Sequence, residues 1–172
     1  MTETLPRLWT RDGFRDDDPW RHAETFSEEF ANDKLILPLA AFLALSDEAR
    51  ASAAARLGVL LLPAEPVSAI EPYLDAIALV ALAFPAFNDG RSFSKAALLR
   101  RSGFAGTLRA TGDVLIDQVP LMLRTGFDEF EVKHPTALKR LEEGRIGGTA
   151  EHYQPSVTAE AGGEAYSWRR RA

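Results

Sequence analysis

Short apolar runs alternate with helical segments along the chain from residue 33 onwards. Five runs read as strands, "KLILPL", "GVLLLP", "AIALVALAF", "GTLRATG" and "FDEFEV". Strands that alternate with helices predict βα units, so we expect an α/β fold with about five units, whose parallel sheet is flanked by helices. The second and third runs are continuously apolar, as in strands covered on both faces. The fourth run is more polar, which predicts a position nearer the edge of the sheet.

Turn and capping residues set the expected ends of the helices. Ser46 is the expected N-cap of the helix after the first run, with acidic residues in its first turn. Ser94 is expected to open the helix after the third run. A helix from Asp113 would be kinked at Pro120, whereas a start at Asp117 would place that proline harmlessly in the first turn. We favour the kinked helix.

Two architectures satisfy this order of elements. One is an open, doubly wound sheet, and the alternative is a curved sheet resembling part of a TIM barrel. A partial barrel would expose strand edges and favour a homodimer. In either case we expect an irregular N-terminal arm at residues 1–34, an α/β domain at 35–144 and a flexible C-terminal tail at 145–172.

Composition excludes several classes of function. The formal charge of −5 provides no basic footprint for a nucleic acid. The longest apolar run, residues 77–87, is shorter than the roughly 20 residues of a membrane helix. The chain has no cysteine, which excludes disulfides, a thiol redox couple and a cysteine-ligated iron–sulfur cluster. We therefore expect a cytoplasmic protein without a signal peptide, a cofactor or a metal.

The loop after the third run, "FNDGRSFS", carries the strongest candidate for a binding site. Ligands of parallel α/β sheets bind at the carboxyl ends of the strands, where such loops gather. Gly90 allows a sharp turn, Arg91 offers a planar cation, and Ser94 marks a helix N-terminus that favours anions. These residues, with Asp89, describe a small anion pocket. Alternatively, Asp89 and Gly90 only form a turn, Arg91 pairs with Asp89 or Asp113, and Ser94 only caps the helix.

Arg109 is a second candidate anion ligand, because it lies inside the fourth predicted strand. It should face the same side of the sheet as Thr111, two residues later. A buried arginine is costly unless it is paired, so we expect a carboxylate partner, namely Asp89, Asp113 or Glu131. Ligand contact is the alternative.

Asp113 and His134 are the candidate acid–base residues. Asp113 follows the fourth predicted strand and could act as a base or only cap a helix. His134 follows the fifth strand, where it either lies at the surface or acts as a general acid or base. The remaining histidines, His22 and His152, lie in the expected arm and tail, so no zinc pattern appears.

Residues 87–130 carry a resemblance to a known family. The segments "FNDGRSFS", "LLR", "GFAG", "RATGDVLIDQ" and "GFDEF" together resemble a bacterial family of small proteins described as oxidoreductases or accessory proteins of sulfite reduction. Members are typically encoded beside a sulfite/nitrite reductase, and the resemblance covers roughly residues 33–145. The positions that match are Asp89, Gly90, Arg91, Ser94, Arg109, Gly112, Asp113, Asp117 and Gln118. The chain departs from the family at Phe93, where tyrosine is expected, and at Thr107, where an acidic residue is expected.

The resemblance implies an accessory protein of assimilatory sulfite reduction. Such a protein would bind sulfite or a related oxyanion near Arg91 and deliver it to the reductase, or support the assembly of that enzyme. One alternative is an enzyme that clamps an anionic substrate with Arg91 and uses Asp113 or His134 as acid or base. Another is a non-catalytic module that binds a protein partner through its loops.

Overall fold

The computed structural model describes residues 5–26, 32–86 and 88–148. The strands are β1 (Arg7–Thr10), β2 (Gly13–Phe14), β3 (Trp20–His22), β4 (Lys34–Pro38), β5 (Leu57–Leu61), β6 (Leu79–Phe84), β7 (Thr107–Gly112) and β8 (Glu129–Val132). The α-helices are α1 (Leu39–Leu43), α2 (Asp47–Ala53), α3 (Arg91–Arg101), α4 (Val119–Thr125) and α5 (Pro135–Glu142). Short 3₁₀ helices span Ala54–Arg56, Val67–Ala69 and Glu71–Ala76.

All the strands of the described residues join one 8-stranded sheet in the order β2-β1-β8-β7-β6-β5-β4-β3. Neighbours from β3 to β8 run parallel, whereas β1 pairs antiparallel with β8 and with β2. The sheet is curled, because His22 of β3 contacts Glu131 of β8 at 2.9 Å although four strands separate them in the order. The predicted α/β class is therefore confirmed in its partial-barrel form.

Two apolar clusters fill the two faces of the curled sheet. The helices cover one face, where alternate strand residues such as Leu35, Val80 and Phe130 join a large buried cluster. A smaller cluster of Ile36, Leu79 and Ala81 lies on the other face, with Trp20 and Leu60 packed against it. Strands β4 to β6 read as continuously apolar because both of their faces are covered.

The fourth predicted strand does not lie near an edge. It is β7, which pairs with β6 on one side and β8 on the other. Its polar residue Arg109 is fully buried on the face opposite the large cluster, where carboxylates neutralise it. The mixed pattern of β7 thus reflects a buried ion cluster rather than exposure to solvent.

The expected helix ends are partly right. Ser46 caps α2 as predicted, since its hydroxyl accepts a hydrogen bond from the Ala49 N–H at 3.2 Å. Ser94 does not open α3, because that helix begins three residues earlier and Gly90 is its N-cap. The kinked helix from Asp113 is also wrong. Helix α4 begins at Val119 with Pro120 in its first turn, where a proline costs no hydrogen bond.

The irregular structure predicted for residues 1–34 is wrong at residues 7–10, 13–14 and 20–22, which form β1, β2 and β3. These strands are short and carry charged and aromatic residues, so they lack the apolar run that identifies β4 to β6. The division into an arm, a domain and a tail stays a prediction, and most of the expected tail, 149–172, lies outside the described residues.

No α-helix in the described ranges has both the length and the apolar character needed to span a lipid bilayer.

Candidate functional site

The loop between β6 and α3 holds an exposed arginine that is paired with a half-buried aspartate. The Arg91 guanidinium donates from Nε to Asp89 Oδ1 at 2.9 Å and from Nη2 to Asp89 Oδ2 at 2.7 Å. The side chain of Arg91 is 62 % exposed, whereas that of Asp89 is 15 % exposed. The hydrogen bond from Arg91 holds the pKa of the Asp89 carboxyl below its usual value. Of the two pairings that the sequence left open as an alternative, Arg91 with Asp89 or with Asp113, the structure shows the pairing with Asp89.

Two buried polar side chains fix the first turns of α3 to the carboxyl ends of the strands. The Ser92 hydroxyl donates to the Ala83 carbonyl of β6 at 2.6 Å. The Lys95 ammonium donates to the Leu62 carbonyl, just after β5. Burial lowers the pKa of Lys95. These anchors hold Arg91 at the strand ends, the edge where parallel sheets bind ligands.

A second polar cluster lies on the concave face of the sheet, around Arg109. Its guanidinium donates to Asp18 at 2.7 and 2.9 Å, to Glu129 at 2.8 and 3.0 Å and to Glu131 at 3.1 Å. These bonds use all five N–H donors of an arginine. The carboxylate bonds raise the pKa of Arg109, although burial acts in the opposite direction. We call these four residues the Arg109 cluster.

Glu131 extends the Arg109 cluster to a histidine and a threonine. His22 Nε2 lies 2.9 Å from Glu131 Oε1, and the Thr111 hydroxyl donates to Oε2 at 2.6 Å. Burial alone would raise the pKa of Glu131. The hydrogen bonds from His22 and Thr111 and the charges of His22 and Arg109 outweigh this effect, so its pKa falls from 4.5 to about 2. Glu131 thus remains a carboxylate throughout the physiological range.

The two candidate anion ligands, Arg91 and Arg109, belong to separate hydrogen-bonded groups. Among the described residues, Arg91 bonds to Asp89 and Arg109 bonds to the carboxylates of its own cluster. Three carboxylates were predicted as partners of Arg109. Glu131 is bonded to it, whereas Asp89 and Asp113 are not.

The proposed acid–base residues lie in two further loops. The Asp113 N–H donates to the Phe84 carbonyl at 2.7 Å, which fixes the turn after β7 to the end of β6. His134 is the exposed N-cap of α5, and its carbonyl accepts from the Leu138 N–H at 3.0 Å. No hydrogen bond between described residues joins Asp113 or His134 to Arg91, so their catalytic roles stay predictions.

Sequence reasoning missed Asp18, His22 and Glu129 as members of a polar centre. The alternation of "FDEFEV" is a usable signal for Glu129, because it shares a sheet face with Glu131 and, through the register of β7 with β8, with Arg109. Asp18 and His22 are 91 and 109 residues away from their partners in sequence. Only the curl of the sheet brings them together.

The described residues contain no group of three or more histidine, cysteine, aspartate or glutamate side chains arranged to hold a metal ion. An open groove of about 470 Å³ lies beside α5, lined by Pro135, Thr136, Lys139, Arg140, Glu143 and Arg145. It shares no residue with the Asp89–Arg91 loop or with the Arg109 cluster. The described residues thus include the exposed Arg91 of the Asp89–Arg91 loop, the fully buried Arg109 and a separate basic groove.

Comparison with known proteins places the chain in a family without assigning an activity. None of the curated proteins is detectably similar to the chain. The sequence model of one family matches residues 58–162, from β5 past the end of α5, and this range includes Arg91 and Arg109 but not Asp18 or His22. The chain belongs to this family, described as bacterial proteins of unknown function (DUF934).

Proposed function

We propose that the protein is an accessory protein of assimilatory sulfite reduction that binds a small oxyanion at the Asp89–Arg91 loop. The pathway rests on the family resemblance of residues 87–130. In this proposal the sulfite/nitrite reductase carries out the electron transfer. The present chain, which has no cysteine, holds or delivers the anion.

The exposure and orientation of Arg91 carry the binding part of the proposal. Asp89 accepts from Nε and Nη2, and no described residue accepts from Nη1. The guanidinium is thus oriented by a carboxylate beneath it and presents its remaining edge to solvent. An arginine held in this way matches the planar, hydrogen-bonding recognition that oxyanions require.

The surroundings of the loop favour a weak and reversible site. Asp89 neutralises much of the charge of Arg91, and Lys95 supplies the next cation on the same face of α3, four residues further on. The Lys95 ammonium is buried and bonded to the Leu62 carbonyl, so Arg91 makes first contact with an anion. Reversible binding suits a protein that passes its ligand to an enzyme.

Thermal unfolding in the presence of sulfite tests this proposal. A ligand that binds only the folded state raises the melting temperature by mass action. Sulfite should stabilise the wild type more than chloride of equal ionic strength, and Arg91→Ala should abolish the response. Arg91→Lys should retain only part of it, because lysine keeps the charge without the planar fork.

Arg101→Ala is the matched control, since Arg101 is an exposed arginine at the other end of α3. It should respond to sulfite as the wild type does. An equal response of Arg91→Ala and Arg101→Ala would reject Arg91 as the ligand. No response of the wild type would reject oxyanion binding as the function.

A further inference from the structure

The Asp18 carboxylate binds the Arg109 guanidinium in the way that a free oxyanion would. Its two carboxylate oxygens accept from Nη1 at 2.7 Å and from Nη2 at 2.9 Å, so it covers the outer edge of the guanidinium. Glu129 and Glu131 come from β8, which the register fixes beside β7. Asp18 comes from the segment between β2 and β3. It is therefore the one carboxylate of the Arg109 cluster that is not held in place by the sheet next to Arg109.

The segment that carries Asp18 is weakly attached to the rest of the protein. Residues 15–19 are all exposed. Among the described residues, one main-chain hydrogen bond joins this segment to the sheet, from the Arg15 N–H to the Leu8 carbonyl at 2.9 Å. Asp18 Oδ1 also accepts from the Trp20 N–H at 3.0 Å, a bond within the segment itself. Movement of this segment would break few contacts, which is typical of elements that open locally.

The charge of the Arg109 cluster also makes Asp18 replaceable. One guanidinium faces three carboxylates, and the two from β8 already exceed its charge. Replacement of Asp18 by a free monoanion leaves the net charge of the cluster unchanged. Replacement by a dianion adds a negative charge inside a buried site, which is costly. The fit is therefore to a monoanion with two oxygens on one atom, such as a carboxylate or hydrogen sulfite.

We propose that Arg109 is the anchor of a closed anion-binding site on the concave face, and that Asp18 fills this site until a small monoanionic oxyanion displaces it. The site is distinct from the Asp89–Arg91 loop and does not depend on the function proposed for that loop. His22 and Thr111 are fixed beside it through Glu131. The segment 15–19 acts as the cover of the site.

Removal of the Asp18 carboxylate provides the first test. In Asp18→Ala, sodium formate and sodium hydrogen sulfite should each raise the melting temperature in a saturable manner that sodium chloride does not reproduce. Half-saturation should occur at a concentration at least tenfold lower than in the wild type, where the tethered carboxylate competes. Asp16→Ala, two residues away and exposed, should behave as the wild type does.

Two further arms make the outcome decisive. The double variant Asp18→Ala/Arg91→Ala should keep the response, which separates this site from the proposed site at Arg91. In the wild type, saturating formate should accelerate hydrogen exchange in residues 15–22 relative to the rest of the sheet. An Asp18→Ala variant that responds to formate no more than to chloride would overturn the inference. Unchanged exchange in residues 15–22 of the wild type would overturn displacement of Asp18.

Discussion

Replacement of Arg109 by methionine tests how much the buried Arg109 cluster contributes to the stability of the fold. The side chain of Arg109 is fully buried, and it donates five hydrogen bonds to three carboxylates. Methionine fills a similar volume but leaves Asp18, Glu129 and Glu131 without the guanidinium that pairs with all three. Removal of one partner from a buried ion pair typically costs about 3–5 kcal/mol.

The expected loss can be measured by urea unfolding and by thermal melting. For a chain of this length, about 1 kcal/mol corresponds to roughly 2–4 °C in melting temperature, so Arg109→Met should melt roughly 6–20 °C below the wild type. Arg101→Met, on an exposed helix surface, should change stability by less than about 0.5 kcal/mol.

A combined variant tests whether unpaired carboxylates cause the loss of stability in Arg109→Met. If the penalty arises from uncompensated carboxylates, Arg109→Met combined with Glu129→Gln and Glu131→Gln should recover part of the stability. The reasoning would be refuted if Arg109→Met unfolded within about 1 kcal/mol of the wild type, well below the cost of a broken buried pair. It would also be refuted if the glutamine substitutions gave no recovery.

Two further predictions concern pH and backbone geometry. The folded pKa of Glu131, at about 2, lies below its ordinary value of 4.5, so its stabilisation is present above pH 4.5 and is lost as the pH falls towards 2. The shift in pKa corresponds to about 3 kcal/mol. In urea titrations, Glu131→Gln should therefore lower the free energy of unfolding at neutral pH and reduce the loss of stability between pH 4.5 and 2. An acid profile equal to that of the wild type would contradict this account. Gly112 has φ of +97°, and an added Cβ would lie 2.4 Å from the Phe84 carbonyl oxygen. Gly112→Ala should therefore lower the free energy of unfolding, measured by thermal melting, by about 1–3 kcal/mol or more. Gly144→Ala, at φ of +68° with no atom within 4 Å, should cost less, and equal costs would show that the clash is not the cause.

The core strands could be predicted from the sequence because the apolar runs that identify them lie within the strands themselves. Strands β4 to β6 are buried on both faces, which requires continuous apolar runs, and the sequence displays them directly. Strands β1 to β3 are two to four residues long and include Arg7, Trp20 and His22. The pairing of β1 with β8 joins segments at opposite ends of the described chain, and no local pattern encodes it. Strand β2 pairs with β1 across a short turn, and β3 pairs with the nearby β4, but these strands are too short to show an apolar run.

The Arg109 cluster could be predicted in part for the same reason. The two-residue period of a strand identifies Glu131 as a partner on the face that Arg109 and Thr111 share. The contribution of Asp18 and His22 depends on how far the sheet curls, which is a property of the whole fold. The Asp89–Arg91 pair was predictable because it is local, whereas the start of α3 was misplaced because Gly90, not Ser94, is the N-cap.

Growth on defined sulfur sources tests the proposed role most directly. A bacterial strain that lacks the gene should grow slowly with sulfate or sulfite as the only sulfur source, and cysteine or sulfide should restore normal growth. The wild-type gene and the Arg101→Ala variant should complement the deletion, whereas Arg91→Ala should not. Equal growth of the deletion strain and its parent on sulfate and on sulfite would contradict a role in sulfite reduction.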